Sequence, residues 1–197
     1  MNIVQAIKTR RSIRKFQQKP IAKEVLVDLV DCARLAPYPA NVQPLKFAIV
    51  NTFEITNKIF DCTKWAGYLE NGTQLAEERP TAYIVILGDK NIKSGGDFKC
   101  ETGIAGSHIV LGATEYGIAS CWLGALKRDK IAEILELPEA LEVQDIIALG
   151  YPGQESKPVE MTDNVKYYLD QDGVLNVPKR SLENVIYKFN EEWGNAF

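Results

Sequence analysis

The feature that most constrains the fold is an unbroken apolar run at residues 82–87, Ala-Tyr-Ile-Val-Ile-Leu, which ends at Gly88-Asp89. An apolar run of this length predicts a strand that is buried within a sheet. We predict further strands at residues 47–50, 118–123 and 143–149. We predict helices at residues 2–10, 23–35, 54–63, 97–116, 128–135 and 181–189, and largely irregular structure at 154–178. Strands interleaved with helices predict a mixed α/β or α+β domain.

The overall composition is that of one globular domain and excludes two classes of partner. The chain has 197 residues, of which 46% are hydrophobic and 25% charged. A net charge of −3 and a pI of about 5.4 argue against a general nucleic-acid binder, because a phosphate backbone requires a basic face. No apolar stretch approaches the roughly 18 to 20 residues of a membrane helix, and the N-terminus does not have the pattern of a secretory signal. We therefore expect a cytoplasmic protein that binds neither nucleic acid nor membrane.

The sequence lacks the motifs that are typical of zinc sites and of hydrolases. The four cysteines form no C-x-x-C pair, which predicts core thiols in a reducing cytosol rather than a zinc site: Cys32, Cys62, Cys100 and Cys121. His108 is the single histidine, so a multi-histidine metal site is impossible, and no nucleophile motif lies near it. We expect no metal and no catalytic side chain, and we expect a cofactor to carry the hard chemistry.

A basic cluster directly after the first predicted helix is the first candidate binding feature. It contains Arg10, Arg11, Ser12 and Arg14. Guanidinium groups match phosphate oxygens with paired hydrogen bonds, and a serine hydroxyl adds a further donor. The alternative interpretation is a solvated charged helix end, where cations interact favourably with the helix dipole.

Three further segments could contact a ligand. The proline-rich loop 37–44 carries Asn41 and Gln43, whose amides can pair with a heterocycle, although the loop could simply connect a helix to a strand. The predicted strand that ends at Leu123-Gly124 would let a ligand approach its backbone, or it could be a plain turn. Lys179 and Arg180 offer two more cations for a phosphate, or they begin a surface helix.

The order of these features resembles the nitroreductase-like family of FMN-dependent oxidoreductases. Members have a helix followed by R-R-S-x-R-x-F, then A-R-x-A-P-S-x-x-N-x-Q-P, then G-[IL]-x-S-C-W-[IL]-G. This chain has the matching segments at residues 10–16, 33–44 and 117–124. Leu-Gly-Tyr-Pro at 149–152 and the C-terminal basic pair follow in the same order. The resemblance spans nearly the whole chain.

The resemblance implies an α+β fold. Its expected architecture is a three-layer α/β/α sandwich around a central mixed, mainly antiparallel sheet. One FMN-binding domain would span residues 1–197, and two copies would form an intertwined homodimer. The C-terminal extension 179–197 would contact the partner subunit, and the glycine-containing helix 97–116 would form the dimer core, with His108 buried or interfacial.

The resemblance also implies FMN bound at the homodimer interface. The phosphate and ribityl chain would be held by Arg10, Arg11, Ser12 and Arg14, with Lys179 and Arg180 completing the phosphate site. The flavin edge would be covered by the partner subunit's Pro37, the partner subunit's Tyr38, the partner subunit's Pro39 and the partner subunit's Asn41. The backbone N–H groups of Leu123 and Gly124 would lie near flavin N5 and O4, where such donors stabilise negative charge.

The activity that the resemblance implies is a ping-pong transfer of hydride. NADH or NADPH would reduce the flavin, and a small-molecule acceptor such as a nitroaromatic or quinone would then be reduced in the same space. The nicotinamide would stack on the flavin, so no dinucleotide-binding motif is needed, and protons would come from solvent.

Two places in the sequence bear on the substrate pocket. Tyr38-Pro39 stands where relatives often carry Ser and a small residue, so Tyr38 is a candidate to narrow or gate the flavin face. Residues 64–80 form a candidate lid, in which Trp65 and Tyr68 could either stack on an aromatic acceptor or pack the lid itself. Leu45 replaces the Trp that often follows Gln-Pro.

Three other functions are alternatives to this reductase. Reductive dehalogenation or enone reduction could run on the same scaffold. The protein could be a non-catalytic flavin-binding redox sensor. A purely structural role would leave the arginine cluster as bare surface charge.

Overall fold

A computed structural model describes residues 2–69 and 74–187 of the chain. Its helices are α1 (Ile3–Thr9), α2 (Lys23–Arg34), α3 (Phe53–Phe60), α4 (Lys99–Glu115) and α5 (Arg128–Ile134). Its strands are β1 (Phe16–Gln17), β2 (Leu45–Val50), β3 (Ala82–Asp89), β4 (Ala119–Leu123), β5 (Leu141–Pro152), β6 (Ser156–Glu160), β7 (Tyr168–Leu169) and β8 (Leu175–Lys179). In this part of the chain no helix combines the length and hydrophobicity needed to cross a bilayer.

The main sheet is organised around β3 and β5. β3 pairs with β2 on one side and with residues 141–149 of β5 on the other, and both pairings are antiparallel. The far edge of β5 is shared by two strands, because β4 pairs with residues 146–150 and β1 pairs with Tyr151 and Pro152. A parallel bridge from Ser12 to Ser120 adds the N-terminal segment to the outer edge of β4. The expectation of a mixed, mainly antiparallel sheet is confirmed.

Helices cover both faces of this sheet, as the apolar run of β3 requires. Alternate residues of a strand point to opposite faces. Accordingly, one face of β3 packs with α2 and α4 through Ala82, Ile84 and Ile86. The other face packs with α3 and α5 through Tyr83, Val85 and Leu87. All eight residues of β3 are buried, and the three-layer α/β/α arrangement and the α+β class are confirmed.

Two helices show why the sequence forms these layers. α2 buries Leu26, Leu29 and Ala33 at helical spacing, and burying each leucine stabilises the fold by about 2 kcal/mol. In α4, a Cβ at Gly106 would collide with the indole ring of Trp122. The glycine therefore lets a large side chain of the same subunit pack directly against the helix.

The region after β5 differs from the sequence prediction. Residues 154–178 were expected to be largely irregular, but β6, β7 and β8 form a second sheet, with β6 parallel and β7 antiparallel to β8. The strands are short, and Pro158 and Pro178 interrupt the usual strand composition. The small sheet therefore lacks the long apolar run that made β3 predictable.

The helix predicted at residues 181–189 is not present over the part that the structure describes. Residues 181–187 form turns, in which the N–H groups of Val185 and Ile186 donate to the Leu182 carbonyl at 3.2 Å. Leu182 and Val185 are both more than half exposed, so the apolar face that suggested a helix packs against no core in this subunit. Residues 188 and 189 lie outside the described residues.

Candidate functional site

The basic cluster occupies a fixed path along the outer edge of β4. α1 ends at Thr9, and the N–H of Arg10 donates to the Ala6 carbonyl at 2.9 Å. The N–H of Ile13 then donates to the Ser120 carbonyl at 3.0 Å, so Arg10 to Arg14 run beside β4 before β1 begins. Burial of Ile13 in the core holds this segment in place.

Part of the Arg11 side chain interacts with the C-terminal end of α1, as the alternative interpretation of the basic cluster predicts. Its two terminal nitrogens donate to the carbonyls of Lys8 and Arg10, which lie at the C-terminal end of α1. Burial, and secondarily the charge of Arg10, lowers the pKa of Arg11. Its Nε is buried without a hydrogen-bond partner, so one donor of this guanidinium is still unsatisfied.

A cavity of about 390 Å³ lies against the cluster. Its lining includes Arg10, Arg11, Ser120, Ser156 and the carboxylate-bearing Glu155. The Oγ of Ser156, like Arg11 Nε, is buried and has no partner. Buried polar groups are almost always hydrogen-bonded, so two orphaned polar groups beside two arginines fit a phosphate group. Ser12 and Arg14 do not line this cavity.

Arg14 is held by residues that sequence reasoning did not identify. Its backbone N–H and that of Lys15 both donate to Gln154 Oε1, at 2.8 and 3.2 Å. Its guanidinium carbon lies 4.3 Å from the centre of the Tyr167 ring. Both partners come from the stretch that was predicted to be irregular, and no local pattern in the sequence marked them.

Cys121 lies on β4 within the field of the same arginines. Burial raises the pKa of the Cys121 thiol to about 11, although the positive charges of Arg14 and Arg10 oppose the rise. The thiol is therefore protonated at neutral pH. Cys62 is also a buried free thiol, as predicted, whereas Cys100 is exposed and Cys32 is partly buried, so the prediction of core thiols is wrong for Cys100.

The loop between α2 and β2 has a strained backbone. Ala40, Asn41 and Gln43 have φ values of 48°, 53° and 51°, a region that costs a non-glycine residue about 1 kcal/mol or more. Gln43 Nε2 donates to the side-chain and backbone oxygens of Asn41 at 3.1 and 3.2 Å. The loop is thus fixed in one shape, which suits a contact surface. Pro39 begins the short turn that contains Asn41.

The expectation that Tyr38 gates the flavin face is wrong for its side chain. Tyr38 is 8% exposed and belongs to the core under α2 and α4. Its hydroxyl donates to the Ala33 carbonyl at 2.8 Å, because the end of α2 leaves an acceptor within reach. The Tyr38 side chain is therefore not available to a ligand, whereas Pro37, Pro39 and Asn41 are exposed.

The end of β4 offers backbone groups next to a second cavity. Leu123 is buried, so its side chain is not available to a ligand in this subunit. Arg128 Nη2 donates to the Gly124 carbonyl at 3.2 Å. Arg128 also lines a cavity of about 380 Å³, together with Lys99, Gly103, Trp122 and Asp145.

Lys179 and Arg180 lie at the end of β8 with exposed side chains. The Lys179 carbonyl accepts the N–H of Met161 at 2.9 Å, at the start of the connection from β6 to β7 that carries Tyr167. Neither side chain lines the cavity beside Arg10, so the structure does not bring the two basic segments together within one subunit.

Residues 70–73 of the candidate lid lie outside the described residues. The described parts on either side of them both contact the rest of the subunit. Trp65 stacks on Phe60 with ring centres 5.7 Å apart, and its indole N–H donates to Thr63 Oγ1, so Trp65 packs the lid. Tyr68 is 52% exposed, and its ring centre is 5.0 Å from that of Tyr167. At the other end, residues 76–80 lie against β1 through the Lys15–Glu78 ion pair at 2.7 Å.

The N-terminal helix carries an uncovered apolar face. Ile3, Val4 and Ile7 are 62%, 55% and 53% exposed, whereas Ala6 is buried.

His108 is partly buried on α4, with Nδ1 3.0 Å from the Ile104 carbonyl. In the described ranges, no group of three or more His, Cys, Asp or Glu side chains could hold a metal ion.

Comparisons with known proteins agree on one family. The family model described as the Nitroreductase family matches residues 7–151. A protein of Archaeoglobus fulgidus, provisionally named an NADH dehydrogenase/NAD(P)H nitroreductase, is 31% identical over 163 residues, which are 80% of this chain and 89% of the relative. The FMN reductase (NAD(P)H) of Bacillus subtilis is 24% identical over 196 residues, 86% of this chain and 76% of the relative.

Solved structures give the same result. A nitroreductase family protein of Clostridium difficile 630 is 30% identical with a TM-score of 0.65, over 78% of this chain and 86% of that one. An FMN-dependent nitroreductase of Clostridium difficile R20291 is 26% identical with a TM-score of 0.66, over 95% of this chain and 99% of that one.

Proposed function

This chain belongs to the nitroreductase family, and from that membership we propose that it is an FMN-dependent NAD(P)H oxidoreductase. Its acceptors would be small oxidised compounds such as nitroaromatics or quinones. The observation that carries the proposal is the cavity beside Arg10 and Arg11, where Arg11 Nε and Ser156 Oγ have no partner. A phosphate monoester would satisfy both groups with charge-assisted hydrogen bonds.

Residues from two segments would hold the cofactor. Arg10 and Arg11 would bind the phosphate from the cavity wall, with Ser12 and Arg14 adjacent on the same extended stretch. Lys179 and Arg180 would add charge from the end of β8, and their exposed side chains have the freedom to do so. When bound, FMN would supply the two-electron chemistry that links NADH or NADPH to the acceptor.

The protein's own contribution near the reacting atoms would come from the backbone. The N–H groups of Leu123 and Gly124 would donate to the polar edge of the flavin, where fixed donors stabilise developing negative charge. The Cys121 thiol takes no part, because its raised pKa keeps it protonated. No acid or base side chain is assigned, and solvent supplies the protons.

The cavity under Trp122 is a suitable space for the acceptor. Arg128, which lines it, also donates to the Gly124 carbonyl, so the cavity adjoins the proposed flavin edge. Trp122 provides an aromatic wall, and its N–H is satisfied by Asp145 at 2.7 Å. Arg128 in this lining is ion-paired with Asp145 at 3.4 Å, which leaves Lys99 as the cation that could meet the oxygens of a nitro acceptor.

We also propose a homodimer that completes the site. Three large apolar side chains on α1 are more than half exposed, and covering each one would contribute about 1 kcal/mol or more. The strained loop 37–44 presents its backbone rather than its tyrosine, as a partner's contact surface would. The four cysteines are free thiols, as is usual in a reducing compartment, and we place this dimer in the cytoplasm.

The test is the visible spectrum of the purified protein before and after anaerobic addition of NADH or NADPH. We expect flavin bands at about 370 and 450 nm that bleach on addition and return with a nitroaromatic or quinone. A colourless protein that takes up no added FMN would refute the proposal. Bound flavin that neither nicotinamide reduces would instead indicate a redox sensor, and turnover only with halogenated or enone acceptors would indicate the related reductases.

A further inference from the structure

We propose that Thr102 selects the acceptor in the cavity under Trp122, by donating a hydrogen bond to an oxygen at one end of that acceptor. The acceptor class that fits is a planar aromatic compound with an oxyanion, such as a carboxylate, because Lys99 adds a positive charge from the same helix. The inference rests on the proposed function and specifies the substrate class of its acceptor cavity.

The hydroxyl of Thr102 is a buried hydrogen-bonding group that is not satisfied within the subunit. Thr102 is 4% exposed, and its Oγ1 has no hydrogen-bond partner in the described part of the chain. A helical threonine can donate to the carbonyl four residues earlier, but the Phe98 carbonyl accepts the backbone N–H of Thr102, at 2.8 Å, and not its hydroxyl. Thr102 lines the cavity of about 380 Å³ under Trp122. Because an unsatisfied buried hydroxyl costs free energy, a ligand oxygen in this cavity would remove that cost.

The polar groups around Trp122 already have partners. The indole N–H donates to Asp145 at 2.7 Å, and Arg128 pairs with the same carboxylate at 3.4 Å. Arg128 Nη2 also donates to the Gln144 carbonyl at 2.8 Å. Trp122 therefore contributes aromatic surface with its donor occupied, and the hydroxyl that still lacks a partner is that of Thr102.

Gly103, the neighbour of Thr102, leaves room for a ring in the cavity. A Cβ at Gly103 would meet no atom within 4 Å, whereas one at Gly106 would collide with the Trp122 ring. Gly103 lines the cavity and Gly106 does not. The open space on α4 therefore lies beside the unsatisfied hydroxyl, and a volume of about 380 Å³ is within the range of small-molecule pockets.

Lys99 gives the cavity an excess of positive charge. The charged residues of the lining are Lys99, Arg128 and Asp145, and the last two pair with each other. Lys99 Nζ is 4.0 Å from Asp97, and both side chains are largely exposed, so this ion pair is weak. Residues four apart lie on one face of a helix, which places Lys99 beside Gly103. An anionic oxygen at this end of the cavity would meet both a hydroxyl and a cation.

The test uses compounds that differ only in the oxyanion. 4-Nitrobenzoate and 4-nitrotoluene are the two acceptors, and 4-cyanobenzoate is a ligand without a nitro group. We expect Thr102→Val to lower kcat/KM for 4-nitrobenzoate about tenfold, because a hydrogen bond to a charged group is lost. The dissociation constant of 4-cyanobenzoate, measured by isothermal titration calorimetry on the flavin-loaded protein, should rise by the same factor. For 4-nitrotoluene kcat/KM should change less than about twofold, because its neutral oxygens are weaker acceptors.

Two hydroxyl variants and a thermal melt separate this role from loss of structure. Thr102→Ser keeps the hydroxyl and should bind 4-cyanobenzoate as the wild type does. Ser107→Ala is the matched control, because it removes a hydroxyl of α4 that already donates to the Gly103 carbonyl, at 2.8 Å. Thr102→Val should not lower the melting temperature, since it replaces an unsatisfied buried hydroxyl with a methyl group.

Two further variants test the charge and the space. Lys99→Gln should weaken 4-cyanobenzoate about threefold and reduce the salt dependence of its binding. Lys130→Gln removes an exposed cation of α5 outside the cavity lining and should change neither. Gly103→Ala should raise KM for both nitro compounds, because its methyl group enters the space that the ring would occupy.

Failure of this inference is distinguishable from failure of the proposed function. Wild-type protein that takes up no FMN removes the proposed function, and the acceptor assignment falls with it. Flavin that is reduced by NADH or NADPH, with 4-nitrobenzoate turnover and 4-cyanobenzoate binding unaltered in Thr102→Val, overturns this inference alone. Equal losses for 4-nitrobenzoate and 4-nitrotoluene would also overturn it, because Thr102 would then only shape the cavity.

Discussion

At the scale of single residues, the arginines beside β4 have different roles although they are neighbours in sequence. Arg11 donates two hydrogen bonds to carbonyls at the C-terminal end of α1, and the guanidinium of Arg14 lies over the ring of Tyr167. Arg10 lines the cavity beside Arg11 Nε and Ser156 Oγ. Its side chain has neither the carbonyl contacts of Arg11 nor the ring contact of Arg14. The sequence motif alone could not distinguish these roles, because the guanidinium of Arg11 finds its partners next to it in the chain, whereas that of Arg14 lies over the distant Tyr167.

Arg10→Gln should weaken FMN binding about tenfold or more, because a charge-assisted contact to phosphate is lost. Riboflavin affinity should stay the same, and Lys8→Gln, which removes an exposed cation two residues earlier, is the control. Fluorescence titration measures both ligands. Unchanged FMN affinity in the Arg10 variant would remove this residue from the phosphate site.

The thiols predict a clear order of chemical modification. Burial raises the pKa of Cys121 to about 11, so its reactive thiolate forms only as the pH rises through that value. Cys100 is exposed and should be alkylated by iodoacetamide at pH 8, while Cys121 should react only after unfolding. Peptide mass spectrometry identifies the labelled residue, and rapid labelling of native Cys121 would contradict the assigned burial.

At the scale of elements, predictability followed how much apolar surface each element buries. β3 was evident from residues 82–87 because both of its faces are covered. α2 was evident because its buried residues repeat at helical spacing. β6, β7 and β8 are short, and β6 and β7 are largely exposed, so their pairing with β8 is not recorded in any local pattern.

The failure of the Tyr38 prediction has the same origin. A tyrosine in a proline-rich loop suggested a gate, but the hydroxyl finds an acceptor at the end of α2 and the ring fills the core beside it. Tertiary packing decided where the side chain points. The backbone contact that the family resemblance implies for this loop stays a prediction.

Two glycines of α4 give a matched pair for testing the packing of this helix. Gly106→Ala should destabilise the protein by about 1–3 kcal/mol, because its Cβ would collide with the Trp122 ring. Gly103→Ala meets no atom within 4 Å and should be neutral or stabilise the helix by up to about 1 kcal/mol. Urea denaturation gives both free energies. Equal effects would show that Trp122 does not lie against Gly106.

At the scale of the whole molecule, we propose that one subunit forms only part of the binding site. The cavity beside Arg10 and the strained loop 37–44 belong to different elements, and α1 leaves three apolar residues uncovered. A second copy of the chain would cover the apolar face and bring its loop to the flavin edge, as the family resemblance implies. The isolated sequence could suggest this assembly only through that resemblance.

Ile7→Glu should convert a dimer into monomers, because a charge would enter the face formed by Ile3, Val4 and Ile7. FMN affinity should fall with it, since the partner's loop would be missing. Phe53→Glu places the same charge on an exposed residue of α3, in the opposite helical layer, and should leave the mass unchanged. Sedimentation equilibrium measures the mass, and a wild-type monomer would refute the expected assembly.

The placement of β1 and the arginine segment against β5 has a consequence for biosynthesis. Phe16 pairs with Pro152, and Arg14 is fixed by Gln154, 140 residues further along the chain. Contacts of such separation form late in folding, because a long loop must first be closed. As the ribosome releases the chain from its N-terminus, the arginines emerge early, but their contacts with Ser120 of β4 and with Gln154 must wait until those distant residues have been synthesised. If the proposed FMN site is correct, we expect the cofactor to bind only after both β4 and Gln154 have been synthesised and have folded against the arginine segment.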